Sequence, residues 1–338
     1  MKCLGLNIQI STSRILLCLT AASILFIISS CSKAIDEDTS WIKSSVCPDI
    51  PLRDVAFSDN NWYACGGVKN SNGGIFRSTD YGKSWTTLRL NLNHSFNALG
   101  FLDNSDGWAA GDSLYMERSV SNGSLWNFYW LADNVPPNEF DRTSFKGMQI
   151  FQDSMMAFAG GDGYAKGLFY ISKDRGMHWY FKTFDREMSD VFFFNENEGL
   201  ICGNGAIMNT VDGGQNFNYV TPSHDFFTGL DFANSGLGFC CSYDANVYTT
   251  NDYGKNWEVL LKMNSVLIKN YHFNDISTDE FGNWVAVGDD GIVVISDKTG
   301  KDRKMVVISE QPRLLRVKRY LNEVFITSAN GCLYHKVL

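Results

Sequence analysis

An all-β chain built from one repeated unit is what this sequence predicts, and three observations carry the prediction. An eight-residue string recurs as STDYGKSW (Ser78 to Trp85), SKDRGMHW (Ser172 to Trp179), TVDGGQNF (Thr210 to Phe217) and TNDYGKNW (Thr250 to Trp257), with worn copies SVSNGSLW (Ser119 to Trp126) and SDKTGKDR (Ser296 to Arg303). A second phrase, an apolar strand, a turn and a strand ending in a small residue, occurs seven times, starting at Leu52, Phe96, Phe145, Met188, Phe227, Phe273 and Leu314. The octapeptides begin 41, 53, 38, 40 and 46 residues apart, a length that suits one four-stranded sheet each. Together these predict a single seven-bladed β-propeller of four-stranded antiparallel blades.

Each position of the octapeptide has a physical reason. Asp80, Asp174, Asp212 and Asp252 stand where a short carboxylate accepts hydrogen bonds from amides a few residues on and closes a turn. Gly82, Gly176, Gly214 and Gly254 follow two residues later, as expected where the backbone adopts an angle that a β-carbon opposes. Trp85, Trp179, Phe217 and Trp257 then open the next strand with a large buried ring. The pattern S/T-x-D-x-G-x-x-W resembles the Asp-box, or BNR repeat, of sialidases, sortilin-type receptors and photosystem II stability and assembly factors. That resemblance implies a propeller in which the octapeptides are structural fasteners at the blade periphery, away from the ligand face.

The length of 338 residues would suit about two domains, but a repeat architecture overrides that count. An aromatic content of 14% and 30 glycines suit short strands and tight turns. The first 30 residues hold Lys2 and Arg14 and no acid, so the remainder carries 27 basic against 37 acidic residues, a net charge of −10. Such a surface argues against nucleic acid or anionic lipid as the partner, and no basic patch is visible along the chain.

Residues 1–30 read as a bacterial secretion signal, two cations ahead of the apolar run ILLCLTAASILFII, which is too short and too early for a membrane span. Ile28-Ser29-Ser30-Cys31 resembles a lipobox, which implies lipidation of Cys31 and a membrane tether through acyl chains. The following Ser32-Lys33-Ala34-Ile35-Asp36-Glu37-Asp38 resembles a surface-export signal of lipoproteins. An outer-membrane protein at the cell surface is therefore expected, with a periplasm-facing one as the alternative. Residues 31–40 are read as an acidic tether and 41–338 as the propeller.

The seventh repeat stops three strands in, at Leu338. Its missing outer strand is expected at the other end of the chain, where Trp41-Ile42-Lys43 follows a half-octapeptide and Trp41 matches the ring position of Trp85. Closing the ring this way leaves no open seam. Cys65, Cys202 and Cys241 fall at matching places in their second strands and read as buried packing. Cys47 and Cys332 come together if the closing strand is antiparallel, and form a candidate disulfide.

Catalytic signals are thin. The resemblance to sialidases would imply an arginine triad, a Tyr/Glu pair and an Asp, but arginines here are few and scattered, and the nearest string to the sialidase signature, Ile75-Phe76-Arg77-Ser78, belongs to an octapeptide strand. His94, His178, His224, His272 and His335 stand singly, so neither a metal nor a cofactor is expected.

Any ligand is expected on the rim opposite the octapeptides, where the turns between second and third strands and the links between blades gather. That rim collects Asp112, Asp162, Tyr164, Lys166, Asn204, Tyr243, Asp244, Asp289 and Asp290, together with the long link that carries Trp130 and Arg142. Aromatics beside carboxylates suit a sugar or an extended peptide, and an acidic rim suits a basic partner or a cation. The expected function is a monomeric, non-catalytic envelope module binding a glycan or a protein. A carbohydrate-active enzyme of unrecognised type and a surface adhesin are the alternatives.

Overall fold

The computed structural model describes residues 35–338 apart from 49, 92, 132–142, 152–153, 164, 221–223, 264–270 and 321. Seven sheets follow one another along the chain, and in blades one to five each is antiparallel with its four strands in chain order. Blade one spans Leu52–Asn91, blade two Phe96–Tyr129, blade three Ser144–Phe184, blade four Met188–Val220, blade five Phe227–Lys262, blade six Phe273–Ile308, and blade seven the three strands from Leu314 to Val337 plus an amino-terminal strand. The seven-bladed propeller expected from the repeats is the fold observed.

The octapeptide closes the hairpin between third and fourth strands by a constant set of bonds. In blade one Ser78 Oγ accepts the Gly82 amide at 2.8 Å, and Asp80 Oδ1 accepts the Ser84 amide at 2.9 Å. Ser172 with Asp174, Thr210 with Asp212 and Thr250 with Asp252 repeat both bonds. The Ser84 hydroxyl and amide, with Ser78, draw the Asp80 carboxyl down to about 2. Gly82 sits at φ +80°, and a β-carbon there would stand 2.6 Å from the Trp62 ring. The next ring is pinned back onto the glycine, as Trp179 Nε1 donates to Gly176 O at 3.1 Å and Trp257 Nε1 to Gly254 O at 3.0 Å.

Blades pack face to face through apolar clusters, and the seam is closed by the amino terminus. Ile42–Ser45 pairs antiparallel with Cys332–Val337, setting Ile42 opposite His335 and Ser45 opposite Cys332. Trp41 is buried among Val306 and Ile308 of blade six and Tyr334 of blade seven, so it fills the wedge position expected of it. The closure goes further than expected. Asp36–Asp38, read from sequence as tether, adds a fifth strand to blade six, parallel to Arg303–Ile308. Asp38 is held there by Ser40 and Lys336, which draw its carboxyl well below the usual range despite its burial.

Cys47 and Cys332 are both free thiols here. The Cys47 amide does meet Gly331 O at 3.1 Å, yet the residue opposite Cys332 is Ser45. Cys47 packs with Leu52 and Leu333 between blades seven and one, whereas Cys332 packs with Trp41 and Tyr334 between blades six and seven. The two side chains serve opposite faces of the same sheet, which corrects the expected disulfide. Cys65, Cys202 and Cys241 are fully buried, as packing requires.

Candidate functional site

The first strand of every blade carries a β-bulge at the same place, one residue in from the rim opposite the octapeptides. The register slips between Leu52 and Asp54, Phe96 and Ala98, Phe145 and Gly147, Met188 and Asp190, Phe227 and Gly229, Phe273 and Asp275, and Leu314 and Arg316. A bulge leaves one residue outside the ladder and re-aims its side chain. The seven residues so freed are Arg53, Asn97, Lys146, Ser189, Thr228, Asn274 and Leu315, and all seven line one cavity of about 410 Å³ at the mouth of the propeller axis.

Glycines bring the backbones together at this level. A β-carbon on Gly111 would lie 1.7 Å from Ser95 O, and one on Gly288 1.8 Å from His272 O. This close approach of the second strand to the incoming link explains the small residue that ends the second phrase.

The cavity is cationic. Among the described residues Arg53, Lys69, Lys146, Arg313 and Arg316 line it, against one carboxylate, Glu187, which is ion-paired with Lys146. Arg313 Nε donates to Asp289 at 2.8 Å, and Asn274 donates to the same oxygen at 2.8 Å. Like Arg316, Arg53 has a buried Nε without a hydrogen-bond partner, and Arg53 makes no ion pair among the described residues. Burial, and then the charge of Arg313, push its guanidinium below its ordinary value. The buried Ser144 Oγ is likewise unpartnered among the described residues.

Beneath the cavity a buried charge network crosses the axis. Asp54, Asp190 and Asp275 follow the bulge in blades one, four and six, and each accepts an amide of the next blade, from Leu99, Leu230 and Val317 respectively. Where the intervening blade carries glycine, the room is used by the neighbouring carboxylate. A β-carbon on Gly147 would be 2.4 Å from Asp190 Oδ1, and one on Gly229 2.5 Å from Asp275 Oδ1. Blade seven supplies the countercharge. Arg316 Nη1 stands 3.6 Å from Asp275 and 4.0 Å from Asp190, while its Nη2 donates across the axis to Lys146 O at 2.6 Å. Lys318 pairs with Asp54 at 2.8 Å.

Burial pushes the Asp275 carboxyl up to about 7, Arg316 pulling it down and Asp190 pushing it further up. Asp190 is raised by burial in the same way. Burial opposes the Arg316 charge as well, but Asp275, Asp190 and Asp54 outweigh it and keep the guanidinium firmly protonated.

Of the rim residues singled out from sequence, Tyr243 lines the cavity, its ring stacked on His272 at 3.8 Å. Asp289 acts one step back, holding Arg313 and Asn274. Asp162 is spent on its own turn, accepting the amides of Ala165 and Lys166 at 3.0 Å, and Lys166 O accepts the Asp162 amide in return. The Asn204 amide donates to Glu187 O at 2.9 Å, and Asp112 is buried against Asn70, His94 and Ser95. Asp290 forms the turn at φ 57°, and Asp244 is an exposed turn residue. Trp130 is exposed beside Phe128, away from the cavity. Arg142, Tyr164 and Cys31 lie outside the described residues. Within that acidic rim the axial cavity is lined by cations, of which Arg53, Lys146 and Arg316 come from first strands, Lys69 from a turn and Arg313 from the link into blade seven. The signal was in the second phrase: its second column reads Arg, Asn, Lys, Ser, Thr, Asn, Leu, polar in six of seven copies inside an otherwise apolar strand.

These features define a class, a seven-bladed β-propeller with a cationic, polar depression at one end of its axis. Solved structures with the same fold include YCF48 bound to D1 peptide, at TM-score 0.70 and 17% identity over 92% of this chain and 99% of that one. YCF48 from Cyanidioschyzon merolae superposes at TM-score 0.68 and 15% identity, covering 88% and 98%. An ancestral GH74 enzyme does so at 0.65 and 15%, with 88% of this chain covering 46% of that one. At these identities the likeness is one of fold. No family model and no curated protein matches the chain.

Proposed function

We propose that this chain is a non-catalytic binding module of the cell envelope whose axial depression takes an extended acidic segment of a partner protein. The observation that carries the reading is Arg53, a guanidinium lining the depression whose Nε has no hydrogen-bond partner and which makes no ion pair among the described residues, Asp112 acting on it only at longer range. A half-buried guanidinium with an unpartnered Nε is costly, and a planar carboxylate offers it a bidentate match. Ser144 Oγ also lines the depression without a partner among the described residues, whereas the donors of Asn97, Thr228 and Asn274 are bonded to Phe145 O, Phe273 O and Leu314 O of the next blade.

A propeller of the same fold is solved with a bound peptide, which supports a peptide as the ligand class. The glycosidase alternative is weaker, since hydrolysis of a glycoside ordinarily uses two facing carboxylates and, among the described residues, Glu187 is the one carboxylate that lines the depression, paired with Lys146. The module is carried, on this reading, by acyl chains on Cys31 at the outer membrane, facing the cell surface.

The test is fluorescence polarisation with labelled random peptides of acidic, neutral and basic composition. Acidic peptides are expected to bind, and Arg53→Gln to weaken them about tenfold or more, a loss that corresponds to about 1.4 kcal/mol or more. Equal affinity for basic peptides, or no effect of Arg53→Gln, would sink the proposal.

A further inference from the structure

The wall of the depression is chemically uneven. Its aromatic part belongs to blade five: among the described residues, Phe226 and Tyr243 are the two rings that line it. They flank that blade's first two strands, Phe227–Phe232 and Gly238–Ser242. The Tyr243 amide donates to Phe226 O at 2.8 Å, which carries the strand pairing one step further and fixes the two residues side by side. His272, just ahead of blade six, backs the Tyr243 ring at an angle of 12°, and its Nδ1 donates to Tyr243 O at 2.7 Å. One face of the tyrosine is therefore taken. The residue is nonetheless 41% exposed, and Phe226 stands perpendicular to it at 6.3 Å. A ring held by its backbone and by one face, yet open on a polar cavity, is a preorganised stacking surface.

The cations lie on the other side. Arg53 and Lys69 belong to blade one, and Arg313 and Arg316 to blade seven and the link into it. Blades seven and one pack together, so blade one is three places from blade five by way of blades six and seven, nearly opposite in a ring of seven. Arg313 is held by Asp289, Arg316 by Asp275 and Asp190, and Lys146 of blade three by Glu187, which leaves Arg53 for a ligand. Asp244 follows Tyr243 in an exposed turn, so the blade-five side does not favour a carboxylate. The two sides ask for different groups on one ligand.

We infer that the segment bound across the depression carries an aromatic side chain two or three residues from its carboxylate, the ring lying on Tyr243 while the carboxylate meets Arg53; the inference rests on the reading of the depression as a site for an acidic segment. The spacing comes from size. A cavity of about 410 Å³ is about 9 Å across if round, and an extended chain advances about 3.3 Å per residue, so about three residues cross it. An aromatic ring gains more there than an aliphatic chain, because it stacks against Tyr243 and meets Phe226 edge to face.

The test is fluorescence polarisation of the full chain with labelled, amidated Gly-Ser dodecapeptides. One carries a glutamate pair alone, others add a phenylalanine two or three residues to either side of the pair, and a last set places it seven residues away. Near placement on one side is expected to tighten binding about tenfold over the glutamate pair alone, and far placement by less than about twofold. Tyr243→Ala should remove the near gain and Tyr243→Phe keep it, whereas Arg53→Gln weakens every peptide. The gain is a ratio of two peptides read on one variant, so a loss of fold, which lowers both, is not mistaken for loss of the stack. Glutamate peptides that bind but gain nothing from phenylalanine at the near spacings, gain as much at the far one, or keep the gain in Tyr243→Ala, would overturn the inference and leave the reading of the depression standing. A glutamate peptide that does not bind, or binds Arg53→Gln as well as the wild type, defeats that reading instead and the inference with it.

Discussion

Replacing Asp275 with asparagine should flatten the pH dependence of stability between pH 5.5 and 7.5. Asp275 is 2% exposed, sharing Arg316 with Asp190, and its carboxyl is raised from 3.8 to about 7. A raised carboxylate means that the folded chain holds the proton more tightly than the unfolded one. Stability is therefore greatest below about 4, declines as the unfolded form ionises, and reaches its floor once the pH passes about 7. With those two values the decline from pH 5.5 to pH 7.5 amounts to about 2 kcal/mol. Asp190 acts in the same direction and shares the same guanidinium. The octapeptide aspartates do not confuse the window, since Asp80 sits at about 2 and Asp174, Asp212 and Asp252 are lowered as well. Asparagine keeps the acceptor for the Val317 amide but cannot ionise. Urea unfolding at both pH values should show the wild type gaining stability on acidification and Asp275→Asn gaining about 2 kcal/mol less. A wild type that loses stability on acidification, or a variant with the same slope, would refute the reasoning.

Further outcomes follow from the packing. Trp41→Ala removes the ring that wedges the seam between blades six and seven, and should cost about 3 to 5 kcal/mol, read as a shifted denaturant midpoint. Gly82→Ala should cost about 1 to 3 kcal/mol, because a β-carbon meets the Trp62 ring at 2.6 Å as well as the strain of φ +80°. Gly163→Ala is its control, with φ +96° but no neighbour within 4 Å, and should cost about 1 kcal/mol or less. Thiol counting on denatured, non-reduced protein should find Cys47 and Cys332 both reactive. A disulfide there would require the two side chains to leave the separate clusters that hold them.

Much of the fold was legible because a propeller repeats its constraints. The octapeptide spacing, the seven copies of the second phrase and the truncated seventh repeat together fix blade number and closure, and Trp41 lies where the pattern put it. Those are local demands: a carboxylate to close a turn, a glycine for a positive φ, a ring to fill a wedge. Each is written within eight residues and recurs.

Asp36–Asp38 was illegible for the opposite reason. An acidic run has the composition of a solvated tether, and only the free edge of blade six, with Lys336 beside it, makes it a strand.

The site was hidden by its own geometry. A chain with a net charge of −10 beyond its first 30 residues gives no hint of a basic centre, since Arg53, Lys146 and Arg313 lie far apart in sequence and in three different blades. Sequence alone determined the repeating unit, the number of blades and which face carries the turns, because those follow from contacts within one blade. Tertiary structure alone decided what faces the axis. Seven bulges, one per first strand, turn seven side chains inward, and only ring closure brings them within reach of one another.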